Sequence, residues 1–165
     1  MWFIKNMAIR LSRTALRCAP VLLIASCLPA PFGLSLPPNA AMGLLFLFSL
    51  ILGFLVLISF SMLIYISAFY TISPMGIRIL AIPIVEFFAG SVMPIPFFPK
   101  ALQPVFYSLP FASMQNTPFL IYAGHLGGAE ALRRIALQLF WFAALLIVGR
   151  MLMKRALKKV VVQGG

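Results

Sequence analysis

The sequence predicts an all-α membrane protein with four transmembrane helices and a short re-entrant helical hairpin on the outer side before the last helix. Three observations predict this fold: an apolar composition, long uncharged runs, and an apolar segment rich in proline. Of the 165 residues, 63% are hydrophobic and only 9% are charged, whereas an ordinary soluble domain carries about 25% charged residues. Because a bilayer accepts apolar side chains directly, it is the solvent that suits this chain.

Charge is concentrated near the two ends of the chain. There are 13 Lys and Arg residues against 2 acidic residues, so the formal net charge is +11. The basic residues cluster beside apolar runs, which is typical of anchoring to anionic membrane lipid and argues against nucleic acid as a partner. The expected cytoplasmic anchors are Arg10, Arg13, Arg17, Lys154 and Arg155.

Residues 1–18 form a basic segment ahead of a transmembrane domain at residues 19–165. In a helix, the polar residues of this segment would share one face and its apolar residues another. Two interpretations stay open. The segment is either an amphipathic helix on the cytoplasmic membrane surface or the positively charged cytoplasmic flank of the first span.

The transmembrane domain has four predicted spans, at about residues 19–36, 40–70, 78–93 and 134–153. Three prolines, Pro20, Pro29 and Pro31, predict that the first span is kinked or begins late. The second span exceeds the roughly 20 residues that cross a bilayer core, so we expect it to tilt or project. Its Ser49 and Gly53 have the spacing that permits close helix approach, although ordinary composition also produces such pairs.

Glu86 is the one ionisable residue well inside a predicted span, roughly 12 Å along the helix from Arg78. Ionisable residues at this depth usually face a protein interior or a water-filled path and have a partner. Arg78 or a neighbouring subunit would be that partner. The alternative is that Glu86 is protonated or lies near enough to an interface to reach water.

The orientation follows from the distribution of positive charge. With four spans and both termini in the cytoplasm, Lys100, Arg133 and Arg134 lie outside, and all the other basic residues lie inside. An excess of Lys and Arg on the cytoplasmic side is the usual arrangement in membrane proteins. We therefore expect a multi-pass protein with both termini in the cytoplasm.

The sequence lacks the residues from which common active sites are built. It has no phosphate-binding loop ending in Gly-Lys-Ser/Thr and no Asp to hold magnesium, so we expect no ATP hydrolysis by this chain itself. The single His has no Asp for a catalytic triad, and no His, Cys or carboxylate residues have metal-binding spacing. We predict neither enzymatic activity nor a cofactor nor a metal ion.

The segment at about residues 94–118 is apolar and aromatic but too rich in proline for an uninterrupted transmembrane helix. Non-helical backbone at membrane depth persists only where protein covers it or where it faces water. The pattern therefore predicts short helices that dip into the outer leaflet and turn back before the last span.

Three motifs in this region carry a family resemblance: Phe88-Ala-Gly-Ser-Val-Met-Pro-Ile-Pro-Phe-Phe-Pro, Leu109-Pro-Phe-Ala and Tyr122-Ala-Gly-His. They resemble the region before the last span of ABC type-2 export permeases. The ending Arg155-Ala-Leu-Lys-Lys-Val-Val-Val-Gln-Gly-Gly resembles the close of one bacterial branch of that family. The expected location is therefore the bacterial cytoplasmic (inner) membrane.

The resemblance implies partners as well as a fold. It implies six spans per subunit, a homo- or heterodimer of permease subunits, separate ATP-binding subunits on the cytoplasmic face, and re-entrant helices between the fifth and sixth spans. The re-entrant hairpin would contain Gly90, Pro94, Pro96, Pro99, Pro104 and Pro110.

Four predicted spans rather than six indicate that the first two family spans are missing, so residues 1–18 would fall near the cytoplasmic connection between the second and third family spans. The expected function is the permease subunit of an ATP-driven exporter, which forms the translocation path with a second permease subunit. The alternative is a truncated or non-transporting membrane protein that acts only as an assembly partner.

Overall fold

The computed structural model describes residues 2–28, 36–67, 69–71 and 74–159, and most of these residues are helical. The α-helices in these ranges are α1 (Trp2–Cys27), α2 (Ala40–Ser67), α3 (Pro74–Ala89), α4 (Gln103–Ser108), α5 (Pro110–Met114), α6 (Asn116–Tyr122) and α7 (Gly128–Lys159). A 3₁₀ turn covers Ile95–Phe97, between α3 and α4. The described ranges contain no strand, so the prediction of an all-α protein is confirmed.

The first of two compact units comprises residues 1–37 and contains α1. Its helix continues without a break through Cys18 and past Pro20, so the predicted boundary between residues 18 and 19 is not a helix end. Strong helix formers, chiefly Leu, Ala and Arg, surround the proline and offset the hydrogen bond that it removes. The helix ends at Cys27. Residues 29–35 of the first predicted span, which include Pro29 and Pro31, lie outside the described residues.

The second unit, residues 38–165, is built on α2 and α7, which run side by side in the same direction. Contacts along the pair join Met42 to Gly127, Ser49 to Gln138, and Tyr70 to Leu152. At the start of α2, the Asn39 side chain accepts a hydrogen bond of 2.8 Å from the Met42 N–H, which caps the helix. Among the described residues, only α2 and α7 are long and apolar enough to cross a bilayer.

The third predicted span differs from the helix in its position. The span was expected at residues 78–93, whereas α3 begins at Pro74 and ends at Ala89. Proline suits the first turn of a helix, because the N–H that it lacks would have no partner there. Pro74 thus begins α3 four residues before the predicted start of the span. With 16 residues, α3 is about 24 Å long, shorter than a bilayer core of about 30 Å, so the total of four spans stays a prediction.

The core of the second unit lies where α5 and α6 pack against α2 and α7. Three clusters of buried side chains form it: Leu52, Ile121, Ala131 and Ile135; then Val56, Met114 and Leu145; then Ile95, Phe106 and Ala112. The first two clusters join the long helices to the short ones, and the third joins the 3₁₀ turn to α4 and α5. The short helices between α3 and α7 therefore pack into the core of the second unit rather than forming an exposed loop.

Candidate functional site

The proline segment, defined as residues 94–118, consists of short helices whose starts coincide with prolines. Pro94 precedes the 3₁₀ turn, Pro96 lies within it and Pro99 follows it, while Pro104 is the second residue of α4 and Pro110 the first residue of α5. A proline in the first turn of a helix costs no hydrogen bond, because the N–H that it lacks would have no partner within the helix. The prolines therefore divide the segment into helices of a few residues each.

Gly90 turns the chain from α3 into the proline segment. Its φ is +81°, in the left-handed region that favours glycine. The Gly90 N–H donates to the Phe87 carbonyl at 3.2 Å and the Ser91 N–H to the Glu86 carbonyl at 3.0 Å, which is the Schellman pattern of helix termination. A Cβ on Gly90 would lie 3.0 Å from Cγ1 of the fully buried Ile95. The position therefore requires glycine for both conformation and space.

A buried amide in α7 ties the proline segment to both long helices. Gln138 is fully buried. Its Nε2 donates to the Ser113 carbonyl of α5 at 2.8 Å and to the Ser49 carbonyl of α2 at 3.1 Å. Its Oε1 accepts a hydrogen bond from the Ser49 hydroxyl at 3.0 Å. One side chain thus joins α2, α5 and α7 in an apolar region where an unpaired polar group is costly.

Two further donors on α7 bind the end of α4. Arg134 Nη1 donates to the Tyr107 carbonyl at 3.2 Å, and its guanidinium lies 4.4 Å from the centre of the Tyr107 ring. Arg134 also pairs with Glu130 at 3.2 Å. Trp141 Nε1 donates to the Ser108 carbonyl at 2.8 Å. These side chains satisfy main-chain acceptors that a helix leaves unpaired at its end.

Arg134, Gln138 and Trp141, which we call the α7 donor stripe, follow one another at intervals of four and three residues. This spacing puts them on one face of the helix. All three donate to carbonyl groups of the proline segment. The α7 donor stripe therefore supplies, along one line, the hydrogen bonds that short helices cannot make within themselves.

The close approach of α5 to α2 depends on Gly53. A Cβ at this position would lie 2.7 Å from the Met114 carbonyl oxygen and 3.1 Å from that of Ser113. Ser49, one turn earlier, is fully buried against Gln138. Of the two interpretations of the Ser49 and Gly53 pair, the structure favours a contact. The contact is with the backbone of a short helix as well as with α7.

A cluster of aromatic side chains packs the end of α3 against the proline segment. Phe98 and Phe106 stack with ring centres 4.4 Å apart, and Phe88 lies 5.1 Å from Phe106 and 5.9 Å from Phe111. Phe87 meets Phe98 edge to face at 5.4 Å. These rings join the end of α3 to the 3₁₀ turn, α4 and α5. Aromatic pairs at these distances contribute about 0.5–1.5 kcal/mol each beyond the burial of area.

The structure does not bring the predicted polar pair together. Glu86 and Arg78 both have exposed side chains on α3, and the one ion pair in the described part of the chain is that of Glu130 with Arg134. Arg78 is therefore not the partner of Glu86 within this chain. A neighbouring subunit as the partner, protonation of Glu86 and contact with water stay predictions.

The predicted anchors lie at the surface of their helices, with Arg13, Arg17, Lys154 and Arg155 exposed and Arg10 partly buried. Arg10 donates from Nε to the Asn6 side chain at 3.4 Å. Their contact with lipid stays a prediction. Within the described residues, no three His, Cys, Asp or Glu side chains are grouped as metal ligands would be.

Sequence reasoning missed Gln138, although a signal was present. It is the one amide in the apolar run from Ile135 to Gly149. A polar residue inside a predicted span usually faces a protein interior and has a partner. Applied to Gln138 as well as to Glu86, the same rule would have predicted a buried contact there, but not the identity of the partners.

One protein family matches almost the whole chain. The model of the family described as "ABC-2 family transporter protein" matches residues 6–164. No curated protein and no solved structure matches the chain. The match includes α1, the proline segment and both long helices, and it confirms the family resemblance inferred from the proline motifs.

Proposed function

Because the chain belongs to the ABC-2 transporter family, we propose that it is the membrane-spanning permease subunit of an ATP-driven exporter. It forms the translocation path with a second permease subunit and is energised by a separate ATP-binding subunit on the cytoplasmic face. The match over residues 6–164 is the observation that carries this proposal. The protein lies in the bacterial cytoplasmic membrane and performs no catalysis itself.

The direction of α2 and α7 supports the proposed four spans. Two neighbouring spans that run in the same direction must be joined by an odd number of further crossings. The chain between them contains α3, which at 16 residues covers about 24 Å of a bilayer core of about 30 Å. In this proposal, α3 serves as the return crossing although it is shorter than the bilayer core, and α1 provides the remaining span.

The contacts of α5 support a re-entrant hairpin. Gln138 lies four residues beyond the start of the span predicted at residue 134, which corresponds to about 6 Å along α7 and puts it inside the outer part of the bilayer core. The carbonyl group of Ser113, bound to Gln138, would lie at the same depth. Since backbone at that depth must be satisfied by protein or water, the α7 donor stripe is what permits the proline segment to enter the membrane.

The same contacts suggest how the permease would respond to its ATPase. α5 is held to α2 by the close approach at Gly53 and to α7 by Gln138. A movement of α2 relative to α7 at the cytoplasmic end would therefore shift the hairpin at the outer end. Nucleotide binding in the partner would then change the populations of conformations that retain or release substrate.

Co-purification tests the proposal. The tagged chain is expressed in its native host and extracted in a gentle detergent. An ATP-binding subunit should co-purify with it in stoichiometric amount and be identified by mass spectrometry. An unrelated inner-membrane protein of similar size, purified in the same way, is the control bait. Recovery of the chain without an ATPase would instead support the alternative, a non-transporting membrane protein that serves only in assembly.

A further inference from the structure

An open cleft of about 610 Å³ lies between α4 and the first half of α7. Its charged lining residues are Lys100, Glu130, Arg133 and Arg134, and Gln103, Tyr107 and Ser108 add polar groups. The remaining lining is mostly apolar and includes Pro104, Leu137 and Phe140. The volume is within the range of about 300–1,000 Å³ that is typical of small-molecule sites.

The charged end of the cleft has an excess of positive charge that the protein does not neutralise. Of its three cations, Arg134 is paired with Glu130. Lys100 and Arg133 are exposed and form no ion pair within the described part of the chain. The cleft therefore offers two unpaired cations, one of them a guanidinium that can bind a phosphate through two parallel hydrogen bonds.

The charged and the apolar lining residues of the cleft lie at different positions along α7. Glu130, Arg133 and Arg134 lie in its first two turns, whereas Leu137 and Phe140 lie in the next two. Ten residues from Glu130 to Phe140 correspond to about 15 Å. Phe140 is 59% exposed, so an apolar ligand can lie along it. A ligand that fills the cleft must combine an anionic head with a hydrocarbon tail.

We propose that this cleft binds an anionic phospholipid, with the phosphate between Lys100 and Arg133 and an acyl chain along Leu137 and Phe140. The ligand is a lipid rather than a free phosphate because the apolar wall continues directly from the cations. The inference requires that α7 lies in a membrane. It is independent of transport and of an ATPase partner, so it can fail while the proposed function stands.

Trp141 provides a local probe for the test. Its ring centre lies 5.4 Å from that of Phe140, and its Nε1 donates to Ser108, which lines the cleft. With Trp2→Phe, Trp141 is the one tryptophan in the chain. The protein is reconstituted into phosphatidylcholine vesicles with a minor fraction of brominated phosphatidylglycerol or, separately, brominated phosphatidylcholine. We expect stronger quenching of Trp141 fluorescence by the brominated phosphatidylglycerol at equal mole fraction.

Paired charge variants establish where that preference arises. Lys100→Gln with Arg133→Gln should lower the relative affinity for phosphatidylglycerol by about fivefold for each cation removed. Arg150→Gln with Lys158→Gln removes the same charge from the far half of α7, at two exposed positions, and should retain the preference. Thermal unfolding in detergent verifies that each pair of substitutions leaves the fold intact. Equal quenching by the two brominated lipids, or an unchanged preference in the first variant, would overturn the proposal.

Competition with inorganic phosphate tests whether the cations of the cleft bind a lipid headgroup or a soluble anion. Phosphate and sodium chloride at matched ionic strength should reduce quenching by brominated phosphatidylglycerol equally, because both only screen the cations. Displacement of the lipid by phosphate beyond the chloride control would assign the cations to a soluble anion and overturn the lipid assignment.

Discussion

Gln138 is the residue on which the connection between α2, α5 and α7 depends most directly. It makes three hydrogen bonds, and the Ser113 carbonyl that it binds is buried between helices. Removing one partner of a buried hydrogen bond leaves the other desolvated and unpaired, which is more costly than the net gain from forming the bond. The loss should therefore exceed what one exposed polar side chain contributes.

We expect Gln138→Leu to lower the free energy of unfolding by about 1–2 kcal/mol, because the Ser113 and Ser49 carbonyl groups lose a donor. Reversible unfolding in mixed micelles measures the change. Ser49→Ala removes only one of the three bonds and should have a smaller effect. Leu139→Ala, at an exposed position on the same helix, should change stability by less than about 0.5 kcal/mol. An effect of Gln138→Leu no larger than that of Leu139→Ala would contradict the assigned role.

Two glycines within long helices offer a matched pair of substitutions. At Gly53, an added Cβ would lie 2.7 Å from the Met114 carbonyl oxygen, whereas at Gly149 the nearest atom would be the Leu63 Cδ2 at 3.7 Å. Gly53→Ala must displace backbone and should destabilise the protein by about 1–3 kcal/mol. Gly149→Ala should be neutral or stabilising by up to about 1 kcal/mol, since alanine favours helix. Thermal unfolding in detergent should give a lower melting temperature for Gly53→Ala and an unchanged or higher one for Gly149→Ala. Similar shifts in the two variants would show that α5 is not close to α2 in solution.

At the scale of the element, the proline segment is held together by other parts of the chain rather than by its own helices. Helices of five to seven residues are too short to be stable alone in water. The α7 donor stripe and the aromatic cluster contact α4 and α5 from two sides. The segment should therefore respond to substitutions in α7 that leave its own sequence unchanged.

We expect Trp141→Phe to raise amide hydrogen exchange in residues 103–114 by about fivefold, which corresponds to the loss of about 1 kcal/mol from one hydrogen bond. The reason is that Ser108 loses its donor at 2.8 Å. Exchange detected by mass spectrometry in detergent measures it. Phe140→Leu, which removes the neighbouring aromatic ring but no hydrogen bond, is the control. Equal exchange in the two variants would show that the donor does not hold α4.

Sequence patterns predicted those elements whose cause is local. Long uncharged runs predicted α2 and the apolar part of α7, and the prolines predicted that residues 94–118 would be broken into short helices. Gly90 was assigned to the hairpin by resemblance, which stays a prediction, and its φ of +81° explains why a glycine follows the end of α3. The helix α3 begins four residues earlier than the predicted span because Pro74 can occupy the first position of a helix.

The contacts of Gln138 and Arg134 could not be predicted in the same way, because their partners are main-chain carbonyls 25 and 27 residues away. A carbonyl group has no sequence signature, so no pattern identifies which one a side chain will reach. Arg134 was expected on the outer side of the membrane, and the structure adds a protein contact to Tyr107. Long-range pairing of this kind depends on tertiary packing.

At the scale of the whole molecule, the parallel direction of α2 and α7 limits how the chain can cross the membrane. If both are spans, the start of α3 and the end of α7 lie on one side, and the loop between α6 and α7 lies on the other. Arg78, Lys158 and His125 mark these three positions, and all three side chains are exposed. Four spans with both termini in the cytoplasm place Arg78 and Lys158 inside and His125 outside.

Single cysteines at these three positions test that topology. The two native cysteines, Cys18 and Cys27, must first be replaced by serine. Because both are exposed, these replacements should cost little stability. In intact cells, a membrane-impermeant maleimide should label His125→Cys, but label Arg78→Cys and Lys158→Cys only after the membrane is permeabilised. Labelling of the three variants in detergent is the control for reactivity. Labelling of Arg78→Cys and His125→Cys from the same side would exclude α3 as the return crossing. Labelling of Lys158→Cys in intact cells would instead reverse the orientation that the basic residues predict, because it would put the charged end of α7 outside.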